Sequence, residues 1–429
     1  YFQSHPHRAN GVAVGYDTRF MSKNFAEYVA EIFSSLGLKV HLSDAFLPTP
    51  AVSLYVKKKN LAGGVMITAS HNPPIYNGFK VKADYGGSAH PETIAEFESF
   101  LPSADAGYDV QKNPALIHPT DLKTFYHDYL ASELDLAAIR KSGLKIGHNA
   151  MFGAGQNMVS DLLGADADVT NYHCEENPTF EGINPEPIPN YTEDFKGFLV
   201  RHKLDVGVIN DGDADRIGMM DERGTFVDSH KIFAIILKYL VEEKKMTGEV
   251  AKTYALTEVI DKICAKHHLK LHLLPIGFKH VGKLMTTNNV LIGGEESGGI
   301  GITAHLPERD GIYIGVLVLE IMAKRKKKLS ELVAELFTEY GLFYYDRIDA
   351  HLTEPQKQTV IEKASKGEFK EIGGMKVEKF ENLDGYKYFF EGGWLLIRPS
   401  GTEPVLRLYS EADSEEKVKA ALKFASELA

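Results

Sequence analysis

Short apolar runs recur along the chain, each closed by a polar, glycine-bearing stretch and followed by a segment with apolar residues three and four apart. Such runs read as strands buried on both faces of a sheet, and the spaced segments read as helices laid against it. Strands are expected near 11–14, 38–42 and 62–67, alternating with helices near 22–36, 51–59 and 91–100, which describes a doubly wound α/β unit. The stretch Leu101 to Pro119, rich in Pro, Gly, Ala and Asp, predicts a linker. A second unit follows with strands near 144–148, 167–172 and 205–209. A third opens with the helix from Ser229 and runs through Glu249-Val250-Ala251 and Val290-Leu291-Ile292 to helices ending near Tyr340. From Phe343 onward, several strands with two helices indicate an α+β domain of another kind. The recurrence of strand, polar loop and helix suggests that the first three units are related, although no identity between them is obvious. The expected domains are therefore 1–118, 119–228, 229–341 and 342–429.

Four strand-to-loop junctions carry candidate chemistry. In the first, Val65-Met66-Ile67-Thr68-Ala69-Ser70-His71-Asn72-Pro73-Pro74, a buried strand ends in a loop presenting Ser70. In open α/β sheets reactive groups sit past the carboxyl ends of strands, but Ser, Asn and Pro also make ordinary turns. The second, Asp205-Val206-Gly207-Val208-Ile209-Asn210, leads into Asp211, Asp213 and Asp215, spaced by Gly212 and Ala214 and followed by Arg216. Three carboxylates at alternate positions of a tight loop repel one another unless a hard cation gathers them, and oxygen ligands suit Mg²⁺. A calcium hand would need a longer loop, a terminal Glu and a helix on each side, whereas here a strand enters and Ile217-Gly218-Met219-Met220 leaves. The third, Gly294-Glu295-Glu296-Ser297-Gly298-Gly299, offers Glu295 and Ser297 to vicinal hydroxyls, or forms a plain acidic turn. The fourth, Arg398-Pro399-Ser400-Gly401-Thr402-Glu403-Pro404, combines a guanidinium, two hydroxyls and a Gly-centred turn, the makings of a phosphate cradle or of a polar hairpin. Arg407, on the strand that follows, could add a second positive charge facing the same anion.

Taken together, in this order and at these spacings, the serine loop, the DGDADR loop, the GEESGG loop and the RPSGTEP loop resemble the α-D-phosphohexomutase family, over nearly the whole chain. The resemblance implies three α/β domains and a smaller α+β domain around a central cleft. It implies phosphoryl exchange between the 1- and 6-positions of hexose phosphates, with Ser70 carrying a phosphoryl group and helping Asp211, Asp213 and Asp215 hold Mg²⁺. Lys80 matches a lysine beside the phosphoserine, so that Ser70, His71, Lys80 and Arg216 form the expected catalytic set. Glu295 and Ser297 would grip sugar hydroxyls, and Arg398, Ser400, Gly401, Thr402 and Arg407 the non-reacting phosphate. Arg19, Lys279, His305 and Arg309 match positions that support or face the substrate. A hexose 1,6-bisphosphate is implied as intermediate and activator. Glucose phosphate is the favoured substrate, mannose phosphate a second, and glucosamine phosphate an alternative. A Mg²⁺-dependent phosphotransferase with an aspartate nucleophile, or a sugar-phosphate sensor without turnover, are the rival classes.

Two departures stand out. The family's N-terminal Gly-Thr-x-Gly-x-Arg signature and its arginine are missing from the sequence, which starts at Tyr1-Phe2-Gln3-Ser4, a protease-site scar or the tail of a native helix. Some relatives close the sugar loop with a histidine where this chain has Gly299, which shifts proton transfer toward Lys80 or His305.

Composition adds exclusions. With 48 basic against 59 acidic residues the net charge is −11, which argues against general nucleic-acid or anionic-membrane binding. Lys57-Lys58-Lys59 and Lys324-Arg325-Lys326-Lys327-Lys328 read as solvated helix ends. The 2 cysteines, Cys174 and Cys264, lack metal spacing and fit a reducing cytoplasm. No unbroken apolar stretch reaches membrane-spanning length and no signal peptide is visible. Small hexose phosphates are the expected partners, for a cytoplasmic monomer or homodimer.

Overall fold

The computed structural model describes residues 1–101, 110–399 and 405–428. The first sheet runs Phe79–Ala83, Gly63–Ile67, Val12–Tyr16, Val40–Ser43, Ile117–Thr120, parallel throughout except that Phe79–Ala83 opposes Gly63–Ile67. The second runs Phe226–Val227, Ile217–Asp221, Val206–Asn210, Lys145–Asn149, Asp168–Tyr172, with the last three parallel and the others antiparallel. The third runs Leu271–Leu274, Glu249–Thr253, Val290–Gly294, Ile300–Ile302, and only its last pairing is antiparallel.

One plan underlies all three. A central strand has a parallel neighbour on each side, and one neighbour turns back through a loop into an antiparallel strand. That loop spans 68–78, 211–216 or 295–299, the first three polar stretches singled out above. Parallel neighbours need long crossovers, which bring helices onto both sheet faces, whereas an antiparallel return needs only a short loop. The short return leaves polar side chains projecting past the carboxyl end of a buried strand.

A single apolar cluster runs through the three units, from Leu54 and Tyr126 through Val208 and Met219 to Ile236 and Val318. The outer faces of the sheets carry separate clusters around Val14, Phe195 and Val281. The fourth unit is an antiparallel sheet in the order Tyr344–His351, Val405–Ala412, Gly393–Pro399, Tyr386–Phe390, Met375–Glu381, Glu371–Ile372. Helices Glu354–Ser365 and Glu415–Ser426 pack on it over a core of its own. It meets the third unit through Tyr254, Trp394, Leu396 and Tyr409.

The linker expected over 101–119 ends earlier than its composition suggested, because Ile117–Thr120 forms a fifth strand beside Val40–Ser43. Pro119 hides it. An edge strand tolerates a residue without an N–H, so the stretch shows neither an apolar run nor clean alternation. The lysine runs fall where expected: Lys57, Lys58 and Lys59 close the helix Thr49–Lys59, and Lys324 and Arg325 close Gly311–Arg325.

Candidate active site

The loop after Gly63–Ile67 holds Ser70 in the left-handed region, φ 53°, an unfavourable conformation for a residue with a side chain. Arg19 fixes it there. Its guanidinium donates to the carbonyls of Ser70 (2.7 Å), Asn72 (2.6 Å), Pro73 (2.9 Å) and Tyr76 (3.0 Å), and Asp17 balances its charge at 3.2 Å. Arg19 is therefore buried beneath the loop and spent on its backbone. The Ser70 hydroxyl donates to Asp211 Oδ2 at 2.9 Å, so the first and second loops meet at the serine.

Asp211, Asp213 and Asp215 are fully buried, and one carboxylate oxygen from each lies within 4.8 Å of the others. Among the described residues this is the only carboxylate, histidine or cysteine group with that property. Gly212 is needed for the approach, since a Cβ there would collide with the Ser70 carbonyl oxygen. The N-terminus of the helix Thr49–Lys59 pins the loop from the first unit: Thr49 Oγ1 donates to Asp213 Oδ2 at 2.5 Å and Thr49 N to the Asp213 carbonyl at 2.9 Å. Lys80, on the strand that leaves the serine loop, reaches Asp213 at 2.6 Å and Asp215 at 3.2 Å. Burial and then the two neighbouring aspartates push the Asp211 carboxyl well above its usual range. Burial also raises Asp213, but Lys80, by charge and hydrogen bond, and Thr49 outweigh it and hold that group low. Burial opposes the charge on Lys80, and the aspartates more than restore it. Asp213 Oδ1 and Asp215 Oδ1 are buried without a hydrogen-bond partner, which together with the hard oxygen donor set fits a divalent cation.

Arg309 joins this centre to the third loop. It lies over the Phe278 ring at 5.3 Å, donates to Asp215 at 2.7 Å and to Glu295 at 2.8 Å, and its charge is firmly retained. A Cβ at Gly299 would collide with the Arg309 Cδ and a Glu295 carboxylate oxygen, so the present place of this arginine depends on the glycine. Ser297 Oγ lies sealed from solvent near Glu295, without a hydrogen bond of ordinary geometry. His71, next to the serine, is kept neutral by burial and then by the charges of Arg216 and Lys80. Arg216 is nearly buried, donates its N–H to Asp211 at 3.0 Å and faces Glu186 at 3.4 Å.

Two expected residues are not brought here. His305 is buried against the Tyr313 ring at 4.1 Å and pairs with Asp310 at 2.7 Å. Asp310 also caps Gly311–Arg325 and accepts from Tyr126, so the histidine is held in a packed pair away from the aspartates. Lys279 stands exposed at the start of Phe278–Thr287, in no contact with the aspartates.

In the fourth unit the strand register places Arg398 directly opposite Arg407. Arg398 Nε donates to Asp384 at 3.0 Å, and the other oxygen of Asp384 accepts the Ile276 N–H of the third unit at 2.7 Å. Arg407 lies 3.9 Å from Asp349. Ser400, Gly401 and Thr402 lie outside the described residues. Sequence reasoning missed Thr49, Glu186, Lys82, Glu308, Arg347 and Asp384. Glu186 meets Arg347 of the fourth unit and Arg216 of the second, each at 3.4 Å. A signal existed for some of them: Pro185-Glu186-Pro187 fixes an extended backbone around one acid, and Lys80-Val81-Lys82 places two cations on one strand face.

Comparison with known proteins agrees with this four-unit architecture. Family models described as phosphoglucomutase/phosphomannomutase alpha/beta/alpha domains I, II and III match residues 1–106, 124–224 and 228–340, and the C-terminal domain matches 350–426. A phosphoglucomutase/phosphomannomutase of Thermococcus kodakarensis is 32% identical over 97% of this chain and 89% of its own length. A phosphoglucosamine mutase of Levilactobacillus brevis is 30% identical over 95% and 86%. A crystal structure from Thermus thermophilus has a TM-score of 0.88 at 33% identity, covering 100% of this chain and 92% of that one. More distantly, an Aspergillus fumigatus N-acetylphosphoglucosamine mutase, solved with GlcNAc-6P and magnesium, shares the fold at a TM-score of 0.59 and 16% identity, over 89% and 92%. These relatives are phosphohexomutases, isomerases that act by moving a phosphoryl group. With all four domains matched in order, the chain belongs to the phosphoglucomutase/phosphomannomutase family and is an enzyme of that isomerase class.

Proposed function

We propose that the enzyme interconverts hexose 1-phosphate and hexose 6-phosphate, glucose first and mannose second, through a phosphoserine at Ser70 and a hexose 1,6-bisphosphate. The observation that carries this reading is the Ser70 hydroxyl at 2.9 Å from Asp211, at the edge of a buried aspartate trio that Lys80 also touches. Ser70, Asp211, Asp213 and Asp215 would hold Mg²⁺, whose charge neutralises the oxygens of the group in transfer. In the forward step a hexose hydroxyl attacks phosphorus, the bond from phosphorus to Ser70 Oγ breaks, and the hydroxyl proton leaves to a nearby base. The bisphosphate then turns over, and Ser70 Oγ reclaims a phosphoryl group from the other position. Lys80 and Arg216 keep positive charge at the serine throughout, and with burial they hold His71 neutral beside it. Glu295 and Ser297 receive sugar hydroxyls. Arg398 and Arg407, with Ser400, Gly401 and Thr402, take whichever phosphate is not reacting, as their cross-strand pairing favours. Added bisphosphate serves as activator by phosphorylating Ser70.

The choice of hexose rests on one hydroxyl, and relatives named for glucose, mannose and glucosamine phosphates all align. A coupled assay with glucose, mannose and glucosamine 1-phosphates, Mg²⁺ and a trace of hexose bisphosphate ranks them, with glucose expected highest. Intact mass of the protein should show one phosphoryl group, lost in Ser70→Ala together with turnover. Full turnover of Ser70→Ala would transfer the role to an aspartate nucleophile, and absence of turnover on all three sugars would favour a sensor.

A further inference from the structure

The strand Phe79–Ala83 sends two lysines from one face in two directions. Lys80 goes to the aspartates of the second unit, and Lys82 goes to Glu308 of the third. Lys82 and Glu308 are both fully buried, 2.8 Å apart, and the carboxylate also accepts from Ser88 at 2.6 Å. Burial works against both charges. Lys82 first, then Arg309, and Ser88 nevertheless hold the Glu308 carboxyl down to about 2, so the bond is an ionic one in a sealed place. The second Glu308 oxygen accepts the Arg309 backbone N–H at 3.0 Å and lies 3.8 Å from its guanidinium. A closed circuit results: Lys80 to Asp215, Asp215 to Arg309, Arg309 along the backbone to Glu308, Glu308 to Lys82, and Lys82 back along the strand to Lys80.

We propose that the Lys82–Glu308 pair is the positioning element of the transfer centre, setting where Lys80 and Arg309 meet Asp215 from two different domains. Neither residue touches the aspartates or faces the cleft. Their effect reaches the chemistry through the strand carrying Lys80 and the backbone carrying Arg309. Shifting either by a fraction of an ångström would spoil charge placement around the phosphoryl group, with part of the shift passed by Arg309 to Glu295 of the sugar loop, while leaving the phosphate loop untouched. Such a defect lowers kcat more than it changes KM.

The inference rests on the mutase reading, and wild-type enzyme in the same assay separates the two: no wild-type turnover fails that reading, not this one. The variant is Lys82→Met with Glu308→Leu, which replaces a buried ion pair by apolar groups of similar volume but also removes the acceptor for Ser88 and the Arg309 N–H. The expected result is a folded protein with a lowered melting temperature, KM for the hexose phosphate within about twofold, and kcat lowered about tenfold or more. Wild-type kcat in the folded double variant would overturn the proposal, because it would show the pair to be structural only. Should the double variant not fold, Glu308→Asp decides: it keeps the charge pair but retracts the carboxylate. Reduced kcat at unchanged KM supports positioning, and wild-type kcat overturns it.

Discussion

Two glycines set how closely the loops of the centre approach one another, and each is explained by one neighbouring atom. At Gly212 that atom is the carbonyl oxygen of Ser70, and at Gly299 it is the Cδ of Arg309. A backbone carbonyl held by Arg19 has nowhere to go, whereas an arginine side chain can swing away. The two positions should therefore respond differently. Gly212→Ala is expected to cost about 1–3 kcal/mol of stability and to abolish most turnover, because the serine loop must give way. Gly299→Ala should leave the melting temperature nearly unchanged but release Arg309 from Asp215 and Glu295, lowering kcat. Thermal unfolding beside steady-state kinetics distinguishes them, and equal losses of stability at the two sites would refute the account. At this scale the sequence was informative where residue types crowd together. Asp211, Asp213 and Asp215 could be found because three like charges in six residues demand a reason. Arg19, His305 and Glu308 could not be placed, since a lone charged residue looks the same in sequence whether it faces a ligand, a backbone or another domain. Three-dimensional partners decide, and the carbonyls that Arg19 holds lie 51 to 57 residues away.

At the level of elements, the chain repeats a parallel strand, a tight loop and an antiparallel return, and places the loops of the first three units at one junction. The loops do not hold themselves in place. The helix Thr49–Lys59 belongs to the first unit, yet its first residue grips the Asp213 side chain and backbone of the second. Thr49→Val keeps the shape and removes the hydroxyl, leaving a buried carboxylate oxygen one donor short, which should cost about 1–3 kcal/mol. Titration calorimetry with Mg²⁺ should show weaker binding, because Asp213 gains freedom to turn away. Unchanged affinity would mean that the helix end serves packing alone. Strands such as Gly63–Ile67 and Val206–Asn210 were legible because they are buried on both faces and read as unbroken apolar runs. Ile117–Thr120 escaped because it is an edge strand of Ile, His, Pro and Thr, in which nothing requires alternation. The same contrast explains why the antiparallel sheet of the fourth unit was recognised as a different kind of domain, without its strand order being readable.

The whole molecule divides unequally, with one core running through three units and another confined to the fourth, joined by an aromatic contact through which Lys387 reaches Glu258 at 3.0 Å and lies over Trp394. Units that share a core should unfold together, so calorimetry is expected to resolve two transitions rather than four. Acid should act on them separately. His148 is sealed under the aspartate loop, its Nε2 3.1 Å from Asn210, and burial lowers it to about 4. His230 sits at the contact with the fourth unit, against the Tyr345 ring and 3.9 Å from Glu411. Burial first, offset in part by Asp228, takes it to about 3. The unfolded chain binds these protons near pH 6.5 and the folded protein does not, so their contribution to stability is complete above pH 6.5. It is lost at about 1.4 kcal/mol per pH unit per histidine as pH falls, down to about 4 for His148 and about 3 for His230. Glu308, held at about 2 against an ordinary 4.5, adds a loss of the same sign at lower pH. The transition of the three-unit body should therefore move to lower temperature from pH 6.5 downward, and His148→Gln, which has an amide to offer Asn210 and no proton to take up, should flatten that slope by one histidine's share. A slope identical in wild type and variant would show that His148 accepts its proton without opening the core, and the acid response of the three-unit body would then have to come from other buried groups such as Glu308.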